Sequence, residues 1–383
     1  MAYSKMTFLP VDNGNMVLIK LNDSNKTTIL YDMYIREKAC DENDDSYDVL
    51  GYLKNNLNKD EEGRLFVDVF ILSHHDDDHI RGFQNHFHTG DIKEYIKDSD
   101  KIYIKEIWGS SRFFKRADKY NTLEANAKAF NTEMKRRYKL HKDNKVIQEE
   151  GNRIIILGES EDDKTDHVQD IVYKIGDTIK KLNNKDISSK IEIELLGPIE
   201  QQDGEAEDLY KRKNRGSVVL QLNIKEGNYT NQILLTGDSG ADVLEYMHEI
   251  YPLSSFEYDI LQAPHHCSKY SMYNQIGQGE NKICELSETA FEILSQAKTG
   301  AKIIASCREF GNETPPHNEA KEKYEEIVEI SNFLYTAGHK KKGKVEPIEL
   351  EFTQEGHKEP VGLTKSKTAA ATIGSAGEAR GHG

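Results

Sequence analysis

Along most of this chain, apolar residues come in short bursts broken by turn residues. The helical spacing of three to four appears in only a few places, so the pattern predicts many short strands and few helices. MTFLPVDNGNMVLIKL sets apolar residues on both sides of Gly14–Asn15 and predicts a hairpin. TTILYDMY predicts a short strand ending near Asp32, and YDVLGYLKNNLN a helix. FVDVFILS is almost continuously apolar, as in a strand covered on both faces. LEANAKAFNTEMKRRYKLHK has helical periodicity with no breaker. Strands resume with NRIIILG, KIEIELLGP, SVVLQLNIK, NQILLTGD and YDILQAPHH. Helical SETAFEILSQAK, strand AKIIAS, helical NEAKEKYEEIVEIS and strand KVEPIELEFT follow. From about residue 354 the apolar pattern stops, and 354–383 reads as a disordered tail.

This mixture predicts an α/β fold, read as one large domain over 1–353 with a basic helical insert at 84–150. Hydrophobic residues make up 37% of the 383, enough for a core. The net charge of −15 argues against a general nucleic-acid coat protein and against attraction to anionic membranes. No apolar run approaches the roughly 18 residues of a membrane span, and the first residues lack a secretory pattern. Cys40, Cys267, Cys284 and Cys307 stand far apart, which excludes a disulfide framework or a thiolate zinc knuckle. The reading is a soluble cytoplasmic protein with no membrane partner. The charge is uneven, however: from Arg112 to Lys145 there are eleven Lys or Arg against four Asp or Glu.

The chemistry concentrates in ILSHHDDDHIRGF, residues 71–83. A buried strand ends at Ser73 and the chain turns polar at once. His74, Asp76 and Asp78 alternate, so an extended loop points them to one side. His79 follows as a helix begins. Carboxylates and imidazoles so placed can hold two divalent ions about 3.5–4 Å apart. Two later segments share the design. NQILLTGDSG stops a strand and presents Asp238, and YDILQAPHHCSKYS stops another and presents His265 and His266.

These segments together resemble the metallo-β-lactamase superfamily, and within it the ComEC-like nuclease branch. His74-His75-Asp76-Asp77-Asp78-His79 has the HxDxDH form of that branch. ILLTGD, APHHCSKYS, NRGSVVLQL and LYTAGHKKKGKVEPIEL are similar to its later segments, so the resemblance covers roughly 6–353 apart from 84–150. It implies a four-layer αββα sandwich with a dinuclear site at one edge. His74 and Asp76 would hold the first metal, and Asp78 and His79 the second. Asp238 would bridge them, and His265 would complete the second site, with His266 as the alternative in a register shifted by one. Asp32 fits the family's mainly structural aspartate. Departures are Asn214, standing where many members have a histidine, and Cys267, standing where the branch usually has glycine. Oxygen-rich sites suit Mn²⁺ or Mg²⁺, and Mn²⁺ is favoured here, with Zn²⁺ suited to the imidazoles.

The expected activity is that of a metal-dependent phosphodiesterase or nuclease cleaving DNA, or RNA, with a hydroxide between the metals as nucleophile. Asp78 and Asp238 are its expected catalytic carboxylates, and His317 an expected acid or phosphate ligand. Lys269 would hold a phosphate, helped by Ser268, Ser271, His266 and Asn214. RFFKR, with Arg112, Lys115 and Arg116 around two phenylalanines, suits a groove that stacks bases. Stand-alone, without a membrane channel, such an enzyme fits phage defence or work beside a partner ATPase. The alternatives are a small-molecule hydrolase for a lactone, thioester or nucleotide messenger, and a binding subunit with a vestigial metal site.

Overall fold

The computed structural model describes residues 3–40, 44–114, 123–144, 149–159, 163–199, 216–277, 283–311 and 314–360. Two large sheets organise them. The first has ten strands. Its order runs Gly356–Lys358, Ile348–Thr353, Lys5–Phe8, Val17–Lys20, Thr28–Tyr31, Leu65–Leu72, Tyr103–Ser110, Arg153–Leu157 and Val172–Tyr173, with Asn58–Lys59 paired to Leu65–Leu72. The second has seven: Thr178–Ile179, Ile191–Gly197, Val219–Glu226, Tyr229–Leu235, Tyr258–Gln262, Ala297–Ala305 and Phe333–Tyr335.

Both sheets change character partway across. The first is antiparallel up to Thr28–Tyr31, which then runs parallel to Leu65–Leu72 and the strands beyond it. The second is antiparallel up to Tyr229–Leu235 and parallel from there to Phe333–Tyr335. Parallel neighbours deliver their carboxyl ends to one edge of the sheet, the place where open α/β sheets gather ligands.

Packing follows from the pattern. One apolar cluster takes side chains from both sheets, including Tyr31, Val69, Ile71, Trp108, Leu222, Ile233 and Ile260, so the sheets meet face to face. A second cluster joins the outer face of the first sheet to the helices Val49–Asn56, Phe83–His86 and Ala125–Asn144. A third joins the outer face of the second sheet to Ala241–Ile250, Glu288–Leu294 and Asn318–Ile327. Leu65–Leu72 contributes to both clusters of its sheet, which is why its sequence is almost continuously apolar. With Asp77–Ile80 there are seven α-helices among the described residues. None is long and apolar enough to cross a membrane.

Two expectations need adjusting. Residues 84–150 hold a fully buried strand, Tyr103–Ser110, near the middle of the first sheet, beside the basic helix. Pairing also continues past residue 353, where Gly356–Lys358 adds an edge strand to Ile348–Thr353. Residues 361–383 of the expected tail lie outside the described residues.

The basic helix turns part of its charge inward. Arg137 is buried, with Nε donating to Glu133 Oε1 at 2.7 Å and its Nη atoms to the carbonyls of Arg153 and Ile104 at 2.9 and 3.0 Å. Arg136 also grips Glu133, at 2.6 and 2.9 Å. Phe113 is fully buried, and Phe114 packs on it and on Tyr138. Phe113 is therefore core rather than a platform for bases.

Candidate metal centre

The candidate residues follow the ends of parallel strands. Asp32 comes directly after Thr28–Tyr31, and Ser73 and His74 after Leu65–Leu72. Asp238 follows Tyr229–Leu235, His265 and His266 follow Tyr258–Gln262, and Ser306 follows Ala297–Ala305. The sheets pack against each other, so the five strand ends converge. A hydrogen bond from Val218 N to Ser73 O, 2.9 Å, ties the two sheets together at this edge.

Asp78, His79, Asp238 and His266 each offer one ligand atom, and these atoms all lie within 4.8 Å of one another. Asp238 is the hub. Its Oδ1 lies 3.0 Å from His79 Nε2 and 3.6 Å from His266 Nε2. Its Oδ2 lies 3.7 Å from His74 Nε2 and 3.6 Å from His265 Nε2. Asp78 reaches His266 Nε2 at 3.3 Å. His74, His79, His266 and Asp238 are buried, whereas His265 is about a quarter exposed.

The ring nitrogens facing away from Asp238 are held. His79 Nδ1 donates to Asp32 Oδ2 at 2.7 Å, and His266 Nδ1 to the Ser306 carbonyl at 2.9 Å. His74 Nδ1 lies 3.0 Å from Ser73 Oγ. Partners of this kind fix an imidazole's tautomer and aim its other nitrogen at a metal. Asp32 is itself fixed: it accepts from Asn15 Nδ2, Ser73 N and Ser73 Oγ at 2.8, 2.7 and 2.7 Å.

Does this arrangement fit a metal ion? His79 Nε2 and His266 Nε2 stand 3.3 Å apart with both Nδ1 protons committed elsewhere. Two lone pairs so placed repel unless a positive charge lies beside them. A proton meets that need in part. Burial disfavours charge on His79, but the Asp238 and Asp32 carboxylates raise its pKa well above the ordinary value. Burial likewise opposes ionised Asp238, yet His79, His266, His265 and His74 hold it well below the usual range. One proton on His79 Nε2 gives Asp238 Oδ1 a donor at 3.0 Å but still leaves His74 Nε2 buried without a hydrogen-bond partner among the described residues. A divalent cation beside Asp238 engages that nitrogen as well, so the residues present fit a metal. Burial also opposes ionised Asp78, but the His266 hydrogen bond and the His79 charge keep its pKa below the ordinary carboxylate value.

The turn carrying His265 and His266 is unusual. His265, His266 and Cys267 have φ of 50°, 53° and 63°, three consecutive non-glycine residues in the left-handed region. Such backbone costs roughly 1–2 kcal/mol per residue and persists where surrounding contacts over-determine it. His265 N donates to Gly237 O, Ser268 N to His265 O and His317 N to Cys267 O, at 3.0, 2.9 and 3.0 Å. The result points both imidazoles toward Asp238. Cys267 packs in the outer apolar cluster, and burial pushes its thiol well above its usual pKa, so it is a neutral filler.

The other candidates fall around this group. His266 belongs to the tight cluster, while His265 approaches Asp238 from the more open side. Asp76 is the N-cap residue of Asp77–Ile80, beside the cluster. His75 packs edge-on against Phe130, and burial holds its imidazole down at about 4, as expected of a core histidine. His317 lies behind the histidine turn, its Nδ1 accepting from Lys269 N at 3.2 Å. Lys269 Nζ is paired with Glu319 at 2.9 Å. Ser268 Oγ accepts from Tyr270 N, and Ser271 Oγ donates to Pro264 O, so both hydroxyls shape the turn. Arg112 packs on Gly216, where a Cβ would come within 2.3 Å of Nε. Asn214, Lys115 and Arg116 lie outside the described residues. Sequence reasoning passed over Ser73, Ser306 and Asn15. A hydroxyl directly before His74 was the available signal for Ser73; Ser306 acts through its carbonyl, which any residue supplies.

No protein-family model matches this chain, and no curated protein does. Among solved structures it is similar to the crystal structure of isothiocyanate hydrolase from Delia radicum gut bacteria, at 14% identity and a TM-score of 0.39 over 90% of this chain and 98% of that one. A score that low does not fix a common fold.

Proposed function

We propose that this chain is a metal-dependent hydrolase of phosphodiesters, a nuclease acting on DNA or RNA, built as a four-layer αββα sandwich of the metallo-β-lactamase kind. The observation that carries the reading is the convergence of Asp78, His79, Asp238 and His266 at the strand ends, with the outward nitrogens of His79 and His266 anchored by Asp32 and Ser306. A metal bound there supplies an acidified water and a Lewis acid for an ester oxygen. Around it, Asp78 and Asp238 orient donors and balance the cation's charge, and His74 and His265 extend the site past Asp238. The two carboxylates favour a hard ion, so Mn²⁺ is the expected cofactor.

A second reading, a small-molecule ester hydrolase, has one observation in its favour. Two arginines of the basic 112–145 segment and the expected phosphate ligand are engaged within the protein: Arg136 and Arg137 on Glu133, and Lys269 on Glu319.

The test is a substrate panel with Mn²⁺, Mg²⁺ or Zn²⁺, with Asp78→Ala as control. It covers linear and circular DNA, single strands, RNA, bis(p-nitrophenyl) phosphate, a lactone and a thioester. Metal-dependent cleavage of nucleic acid, lost in Asp78→Ala, is expected. Hydrolysis of the lactone or thioester alone would replace the nuclease reading with the second one.

A further inference from the structure

Ser73 has one hydroxyl proton and four polar neighbours at its Oγ, of which the Tyr31 hydroxyl gives its own proton to the Val218 carbonyl at 3.2 Å. The other three are Asp32 Oδ2 at 2.7 Å, His74 Nδ1 at 3.0 Å and His79 Nδ1 at 3.2 Å. A hydroxyl donates preferentially to an ionised carboxylate at the shortest distance, because that bond is charge-assisted. The reverse assignment would leave two oxygen lone pairs facing each other at 2.7 Å. The proton therefore lies toward Asp32, and Ser73 Oγ is left as an acceptor. His79 Nδ1–H has its shorter bond to Asp32, also 2.7 Å. The acceptor on Ser73 is thus open to His74, whose Nδ1 must carry a hydrogen to use it. His74 Nε2 is then a bare lone pair, buried, without a hydrogen-bond partner and directed at Asp238.

We propose that Ser73 is a positioning residue that sets the tautomer of His74, through a directed chain from His74 Nδ1–H to Ser73 Oγ–H to Asp32. The same carboxylate accepts the hydrogen bond from His79 Nδ1–H, so one aspartate and one serine orient two imidazoles of the site. Ser73 is placed for this by its backbone. Its N–H donates to Asp32 Oδ1 at 2.7 Å, and its carbonyl accepts from Val218 N of the second sheet at 2.9 Å. Neighbouring packing leaves little room for drift, since a Cβ added at Gly237 would sit 3.2 Å from Ser73 Cβ. The inference rests on reading His74 and His79 as metal ligands, and not on which ester is cleaved.

The experiment reads the tautomer directly. Two-bond ¹H–¹⁵N correlation spectra of chelator-treated protein, at a pH where free imidazole is neutral, distinguish Nδ1–H from Nε2–H rings. His74 of the wild type is expected in the Nδ1–H form, and Ser73→Ala is expected to shift it toward Nε2–H. A wild-type His74 carrying its hydrogen on Nε2 overturns the proposal even if the variant does not fold. So does an unchanged tautomer in Ser73→Ala. Ser73→Cys, which keeps a weak donor of similar size, is expected to fall between the two. Mn²⁺ titration gives the second readout: a 10- to 100-fold weaker affinity is expected in Ser73→Ala. Equal affinity in the two proteins counts against the proposal. A wild type with the expected tautomer that binds no Mn²⁺ leaves the hydrogen-bond chain standing and defeats the metal reading instead.

Discussion

Replacing Asp32 by Asn keeps the shape of a buried side chain and changes only what it can accept. Asp32 receives four hydrogen bonds: Ser73 N on Oδ1, and Asn15 Nδ2, Ser73 Oγ and His79 Nδ1 on Oδ2. An amide has one acceptor oxygen and an NH₂ that donates. With the NH₂ in the Oδ2 position, three donors face a donor. The cheaper flip puts it in the Oδ1 position, where it opposes only Ser73 N–H. Even then the other three bonds lose their charge assistance, and a buried N–H is left unmatched at about 1–3 kcal/mol. The expected loss of folding stability is roughly 2–4 kcal/mol, measured by urea denaturation in chelator. The functional loss is separate. His79 then has a weaker anchor, and partners of metal-bound histidines are worth about 10- to 100-fold in metal affinity, or roughly 1.4–2.7 kcal/mol. Calorimetric titration with Mn²⁺ reads that term on the folded variant. If Asp32→Asn loses the expected stability but binds Mn²⁺ within about twofold of the wild type, Asp32 serves the fold alone and the reasoning about the site fails.

Two further predictions concern the scaffold. Burial alone would raise the Glu133 carboxyl, but the Arg137 and Arg136 partners hold it at about 2, against an ordinary 4.5. A depressed carboxyl stabilises the fold above its unfolded pKa, so this contribution, about 3 kcal/mol, is expected to be complete near neutrality. It is lost as the pH falls from about 4.5 through about 2. Glu133→Gln should lose roughly 3–5 kcal/mol at neutral pH, because Arg137 stays buried without its counter-charge. Its acid denaturation curve should flatten over that window, and a curve parallel to the wild type would contradict the assignment. At Gly237, φ is +53° and an added Cβ would lie 3.2 Å from both Ser73 and Ser217 Cβ atoms. Gly237→Ala is therefore expected to lower stability by about 1–2 kcal/mol and to weaken Mn²⁺ binding, because Asp238 is the next residue. A variant matching the wild type in both melting temperature and titration would show that the close approach does not position Asp238.

The strands and helices with one clean period were legible in the sequence: Leu65–Leu72, Arg153–Leu157, Val219–Glu226, Tyr229–Leu235 and Ala125–Asn144 all lie where the pattern put them. Tyr103–Ser110 was not, because YIKEIWGS carries Lys105 and Glu106 into a buried strand. The structure shows what makes that tolerable. Lys105 Nζ sits 3.6 Å from the Phe66 ring centroid and pairs with Glu150 at 3.2 Å, while Glu106 accepts from Trp108 Nε1 at 2.8 Å. Part of the basic charge of 112–145 is turned inward for a related reason. Arg137 is drawn inward by backbone carbonyls that no sequence pattern advertises. At the site, strand-end acids and imidazoles were visible as a set. The arrangement of His265 and His266 was not, since it depends on a left-handed turn at residues with no glycine to signal it.

The central claim is that these strand ends hold a divalent ion, and it is tested most directly by equilibrium dialysis of chelator-stripped protein against Mn²⁺, with the retained metal counted by elemental analysis. The wild type is predicted to retain at least one ion per chain, and Asp238→Asn, which removes the charge shared by all four histidines, to retain none at the same free Mn²⁺. A wild type that retains no metal, or an Asp238→Asn protein that retains as much, would contradict the account.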